Sequence, residues 1–209
     1  YGNIDGIIHA AGLIKDNYIV KKTYEEMKSV ISPKVYGTLL LDDALKDEEL
    51  DFFVLFSSLS VIGNAGQSDY AFANSFMDAF AGVRNTLVKN KQRYGKTLSI
   101  NWPLWKEGGM HIDEKSKEHQ YQTGGILPLT TEAGLDAFIK GLTLNVNHFA
   151  IIEGDVDKIK HKFDIDPYKT KNDSIQKASY DEDLLRTKIE DTLFTSVVDI
   201  LKIQKDAID

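Results

Sequence analysis

The sequence contains no cysteine. That absence removes disulfides, thiolate metal sites and a cysteine nucleophile, and it makes a reducing cytoplasm the expected setting. Proline is scarce, at four residues, and no period of about 20 to 50 residues recurs, which argues against a solenoid. No apolar run approaches the roughly 18 residues needed to span a bilayer, so no membrane partner is expected. The opening YGNIDGIIHAAG has no basic stretch ahead of its apolar run and does not read as a secretion signal. Basic residues are the minority: 25 Lys+Arg against 32 Asp+Glu leave a formal charge of −7. A nucleic-acid surface would need a basic stripe, so no such partner is expected. The five histidines, at 9, 111, 119, 148 and 161, show no metal-ligand spacing.

What is present is a globular balance, with 42% hydrophobic and 27% charged residues over 209 positions. Strand-like and helix-like segments alternate. GIIHAAG (Gly6 to Gly12) reads as a buried strand and its exit loop, DFFVLF (Asp51 to Phe56) as a strand buried on both faces, TLSINW (Thr97 to Trp102) as a third, and HFAII (His148 to Ile152) as a fourth. Between them, Thr23-x-x-Glu26 is a capping box opening a short helix. A second helix is expected to start at Pro33 and run to about Leu45, a long one to cover Tyr70 to Val88, and another Glu132 to Leu142. This order predicts an α/β fold with a doubly wound parallel sheet.

Beyond Gly154 the composition becomes polar, and residues 156–182 read as a linker. In 183–209, Leu185, Ile189, Leu193, Val197 and Leu201 recur at four-residue spacing, the mark of an amphipathic helix that needs a partner to pack against. The expected organisation is thus a catalytic portion over 1–155, the linker, and this helix.

Chemistry-bearing residues concentrate between Lys34 and Asn74. FSSLSVIGNAGQSDYAFANSFMD (Phe56 to Asp78) puts serines at the carboxyl end of a strand, then a glycine-bearing loop, then Tyr70 at the start of a helix. Ligands of open α/β sheets bind outside the carboxyl ends of the strands, so Ser57, Ser58 and Tyr70 should face one crevice. Tyr70 and Asn74, four apart, share a helix face. A tyrosine, a serine and a lysine suit proton delivery to a carbonyl oxygen, because a neighbouring ammonium favours the phenolate and brings the tyrosine toward working pH.

This segment resembles the active-site stretch of the ketoreductase domains of modular polyketide synthases, which are short-chain dehydrogenases/reductases. The resemblance continues through GIIHAAG, SPKVYGTLLL, INWPLWKEGGM and GILPLTTEAGLDAFIKGL, covering roughly residues 5 to 155. The wording of GNAGQSDYAFAN and NWPLWKEGGM is most like synthases that recruit free-standing acyltransferases, many of them bacterial. It implies a Rossmann-like sheet and NADPH-dependent reduction of a β-ketoacyl group tethered to the phosphopantetheine of an acyl carrier domain. Ordinary short-chain reductases carry Tyr-x-x-x-Lys; the polyketide ketoreductases exchange lysine and asparagine, as Tyr70-x-x-x-Asn74 with Lys34 does here.

By resemblance, Tyr70 donates the proton and a serine hydrogen-bonds the same oxygen. Lys34 lowers the tyrosine pKa and holds the nicotinamide ribose, and Asn74 supports the relay. Ala11, Gly12 and Pro103 join Lys34 and Tyr70 at the nicotinamide end, while Asp16, Ser57 and Gln67 lie on the substrate side. No metal is implied. Eleven residues separate the double serine from Tyr70, one fewer than is usual in the family. Counting back from the tyrosine points to Ser57 and aligning on FSS to Ser58, with Ser60 a third option; Ser58 is the expectation. The loop LIKDNYI has Asp16 where D-hydroxyl-forming members carry the second acid of Leu-Asp-Asp, and Lys15 in place of the first. Leu59 to Asp69 lacks the tryptophan of the L-forming subtype, so a D-hydroxyl product is expected.

The sequence has no GxGxxG turn. Gly108-Gly109 and Gly124-Gly125 fit instead the substrate lid of the family. The expectation is that the N-terminal strands and phosphate loop are missing, and that an upstream half of the ketoreductase and other synthase domains complete a chain inactive by itself. LLRTKIEDTLFTSVVDIL resembles the first helix of an acyl carrier domain. The alternatives are a non-catalytic ketoreductase-derived docking element and a free-standing short-chain reductase.

Overall fold

The structure, a computed structural model, describes residues 4–110 and 112–164. Its centre is a four-stranded parallel sheet, order β1–β2–β3–β5, formed by β1 (Gly6–His9), β2 (Phe52–Ser58), β3 (Lys96–Trp102) and β5 (His148–Ala150). The register sets Ser57 beside Asn101 and Ser58 beside Trp102. This is the expected Rossmann-like doubly wound α/β arrangement, and the run FFVLF explains it. Successive side chains of a strand point to opposite faces. Phe53 and Leu55 therefore pack with Met77 and Leu41 under helices α1 (Tyr24–Ala44) and α2 (Ser68–Lys89). Val54 packs on the other face with Leu98, Ile100, Trp102, Phe138 and Leu142 under α4 (Thr131–Thr143).

Three segments depart from the sequence reading. The capping box of Thr23 and Glu26 is formed, but the helix it opens is not short; it runs through Pro33 to Ala44 as one element. An interior proline costs about 3 kcal/mol through its missing N–H. The cost falls on the Ser29 carbonyl, four residues earlier, and the surrounding packing of α1 against the sheet has to outweigh it; the Pro33 carbonyl itself accepts from His9. A helix not anticipated, α3 (Glu114–Gly124), lies between the two glycine pairs, capped by Asp113, whose side chain accepts from the Ser116 amide. Finally, the segment read as linker begins with a helix, α5 (Val156–Lys162), after a short antiparallel pair of β4 (Ile126–Leu127) with β6 (Glu153–Gly154). Asp155 caps α5 by accepting from the amides of Asp157 and Lys158. The rest of the linker and the amphipathic helix of 183–209 lie outside the described residues.

Candidate active site

Lys34 is placed by the junction of β1 with α1. The strand ends at His9, whose Nε2 lies 3.0 Å from the Pro33 carbonyl oxygen. Burial pushes the His9 pKa down, so the neutral ring donates from Nε2 and fastens the strand end to the turn that carries Lys34. The Lys34 side chain runs inward, 3% exposed, and its Nζ donates to the Phe56 carbonyl at 2.6 Å. The nitrogen lies 5.5 Å from the centre of the Tyr70 ring. Burial lowers the Lys34 pKa to about 8 against the opposing pull of the Asp78 carboxylate. Gly12 passes close by, and a Cβ there would stand 3.0 Å from Lys34 Cε.

The carboxyl end of β2 separates the two serines by the alternation of the strand. Ser57 Oγ donates to the Asn74 carbonyl at 3.2 Å and accepts from Asn101 Nδ2 at 3.4 Å, so it is tied beneath α2. Ser58 faces the phenol of Tyr70: hydrogen bonding by Asn74 and Ser58 draws the Tyr70 pKa down, although burial outweighs it and the Asp16 charge adds to the rise. The net direction is upward. This departs from the expectation that Lys34 brings the phenol down, because the ammonium is directed at a backbone carbonyl and not at the phenolic oxygen. Asn74 is fully buried behind Tyr70. Its Nδ2 donates to the Tyr70 carbonyl at 2.8 Å and to Ser60 Oγ at 3.3 Å, while its Oδ1 has no partner among the described residues.

Two polar residues that the sequence reading did not single out support this end of the sheet. Asp78, one helical turn beyond Asn74, accepts from Ser99 Oγ at 2.6 Å and from Asn101 Nδ2 at 2.7 Å. Asn101 in turn reaches Ser57 and the Ser58 carbonyl. The alternation of polar Ser99 and Asn101 within TLSINW, on the face turned toward Asp78, was the available signal.

These groups open onto a cleft of about 670 Å³. Lys34, Ser57, Ser58 and Tyr70 line it together with Gly12 and Pro103 on one side and Asp16 and Gln67 on another. Ala10 and Gly12 reach the cleft and Ala11 between them does not; Asn74 too stays behind the wall. Asp16 accepts from Gln67 Nε2 at 2.9 Å, and Gln67 accepts from Asn64 Nδ2 at 2.8 Å. Trp102 stacks obliquely on Phe56 and Trp105, with centroids 5.1 and 4.7 Å apart, forming an aromatic wall. Met110, Ile112 and Gln120 of the segment that follows β3, with Lys162 and Phe163 at the end of α5, complete the lining. The arrangement can hold a flat ring near Gly12 and Lys34 and present a protonated phenol, flanked by a serine hydroxyl, to an oxygen beside it.

Residues 1–107 match the model of the KR domain. The chain is 43% identical over 217 aligned residues to polyketide synthase PksN and 41% over 224 to polyketide synthase PksL, both of Bacillus subtilis (strain 168). All of this chain is covered in each, but it spans only 4% and 5% of those synthases. Among solved structures, a ketoreductase domain from the bacillaene assembly line is similar at 48% identity with a TM-score of 0.76, over 78% of this chain and 39% of that one. An N-terminal ketoreductase from the macrolactin assembly line shares 48% identity with a TM-score of 0.67, over 76% of this chain and 30% of that one.

Proposed function

The chain belongs to the KR-domain family, and from that premise we propose that it is the catalytic-residue-bearing portion of a polyketide synthase ketoreductase. The reaction is reduction of a carrier-tethered β-ketoacyl thioester to the β-hydroxyacyl thioester. The observation that carries this reading is the convergence of Lys34, Ser58 and Tyr70 on one end of a single cleft, with Asn74 directly behind.

In this reading Tyr70 delivers its phenolic proton to the β-keto oxygen as negative charge develops there, and Ser58 donates a hydrogen bond to the same oxygen. Burial keeps the phenol protonated at neutral pH, which is the form a proton donor needs. The ammonium of Lys34, 5.5 Å from the centre of the Tyr70 ring, offsets part of the cost of the phenolate left behind, and Asn74 supports the relay that returns a proton to Tyr70. The nicotinamide end of NADPH fits beside Gly12, whose missing side chain leaves room against Lys34, and beside Pro103; when bound, the nicotinamide supplies the hydride. Asp16 and Gln67, hydrogen-bonded across the cleft, orient the acyl chain for a D-hydroxyl product.

This chain spans 39% of the bacillaene ketoreductase domain it resembles, and its sequence carries no glycine-rich phosphate turn. The same reading places an upstream ketoreductase half, an acyl carrier domain and other synthase domains as partners. The decisive experiment is NADPH oxidation by the polypeptide as the cell makes it, with a β-ketoacyl pantetheine thioester as substrate. Turnover giving a D-hydroxyl product is expected, with none from the 209-residue chain alone. No oxidation above background by the intact polypeptide defeats the reading.

A further inference from the structure

The loop that carries Asp16 has no regular structure between β1 and Ile19, yet it is fastened to the start of α2 at several points. The Asn17 amide donates to the Gly66 carbonyl at 3.0 Å, and Gln67 reaches Asp16. The strongest tie lies deeper. Lys22 Nζ meets both carboxylate oxygens of Asp69, at 2.5 and 2.6 Å, and also donates to the Lys15 carbonyl at 2.6 Å. Both side chains of this ion pair are 1% exposed. Asp69 is not free to turn elsewhere, because its Oδ1 also accepts the Tyr70 amide at 2.9 Å. One ammonium therefore joins the residue before Asp16 to the residue before Tyr70.

A buried ion pair is seldom a net source of stability, since taking two charges out of water offsets their attraction. What it fixes is geometry: breaking it leaves a buried charge unpaired, so the segments it joins have a single register. We infer that Lys22 and Asp69 are positioning residues that set the substrate specificity of the cleft. They lock the loop of Asp16 onto the helix of Tyr70, so that a β-ketoacyl chain presents one face of its carbonyl. This rests on the reductase reading for its chemistry, though the locking itself does not. Neither residue lines the cleft, so the effect passes through the Lys15 carbonyl to Asp16 and through the Tyr70 amide to Tyr70.

The test is the intact polypeptide carrying Lys22→Met with Asp69→Asn, which removes both charges together and keeps an oxygen for the Tyr70 amide. Hydrogen exchange of amides 13–18 should quicken at least tenfold. The KM for a β-ketoacyl pantetheine thioester should rise about tenfold and the ratio of D to L product fall about tenfold, with a smaller effect on kcat. Unchanged exchange, or unchanged KM and product ratio in a folded variant, overturns the inference. If the wild type reduces nothing, the functional reading fails, and exchange alone still decides whether the pair locks the loop. Should the double variant not fold, Lys22→Arg decides: a longer planar group cannot reproduce three short contacts to one nitrogen. It must loosen the same amides and lower the same ratio, and wild-type values would refute the role.

Discussion

The ammonium nitrogen of Lys34 lies 5.5 Å from the centre of the Tyr70 ring while its hydrogen bond goes to the Phe56 carbonyl. Burial drives the two groups in opposite directions, Lys34 down to about 8 and Tyr70 up. Each shift favours the uncharged form, as desolvation requires. Near neutral pH the phenol holds its proton and most of the lysine population holds its charge, which is the pairing that proton donation from Tyr70 needs. Tyr70→Phe removes the donor and leaves the ring packed. In the intact polypeptide, kcat for thioester reduction is expected to fall about 10² to 10⁴-fold, the usual share of a general acid. Steady-state kinetics would show it, and a variant within threefold of wild type would remove Tyr70 from the chemistry.

The lowered Lys34 pKa makes stability depend on pH with a definite sign. The unfolded chain holds the Lys34 proton up to about 10.5, the fold only to about 8. Between those values the unfolded state binds more protons, so stability rises as pH increases. Below about 8 the cost of the buried ammonium is fully present, on the order of 3 kcal/mol at most. Lys34→Met removes that cost, along with a hydrogen bond contributing about 1 kcal/mol. The variant is therefore expected to be at least as stable as wild type at pH 7 and to lose its advantage by pH 10, although it no longer reduces substrate. Denaturant melts of both proteins at pH 7, 8.5 and 10 check this; parallel curves across that range would contradict it.

Some of this arrangement was legible in the residues and some was not. Phe53 and Val54 announce a strand buried on both faces, because no polar residue interrupts FFVLF, and the capping box announces the start of α1. Pro33 misled, since its usual place is a first turn and here it sits inside α1. Helix α3 was missed because EKSKEHQYQTG has no apolar stripe to betray its period. At the site, Tyr70 and Asn74 follow from helical spacing, whereas the choice of Ser58 over Ser57 depends on which strand face turns to Tyr70. The Lys22–Asp69 pair joins residues 47 positions apart, and only the fold reveals that they meet.

The aromatic wall has its own dependence on a small residue. Gly134 of α4 lies against Trp105, and a Cβ there would stand 2.3 Å from Cη2 and 2.5 Å from Cζ3 of the indole. Those distances are too short for non-bonded carbons, so Gly134→Ala is expected to displace the ring. Overpacking of this kind costs about 1 to 3 kcal/mol. Because Trp105 lines the cleft, the displacement should also raise KM for the thioester and change the tryptophan emission. Thermal melting with fluorescence would register both, and an unaltered spectrum with unaltered KM would show that α4 shifts instead.

Asp78 offers the sharpest separation of charge from shape. Its two oxygens accept from Ser99 and Asn101, so Asp78→Asn keeps the outline but turns an NH₂ group toward one of these donors. An unsatisfied buried donor costs about 1 to 3 kcal/mol, and the melting temperature should fall by several degrees. The charge effect is independent of that loss. The carboxylate holds the Lys34 pKa up against burial, so its removal lowers that pKa below about 8. If charged Lys34 is the active form, the alkaline limb of the kcat profile should move to lower pH in Asp78→Asn. The acid limb, to which Asp78 contributes nothing through Lys34, stays in place. A profile that merely drops in height, with both limbs fixed, would mean that Asp78 braces β3 against α2 and does not act on Lys34.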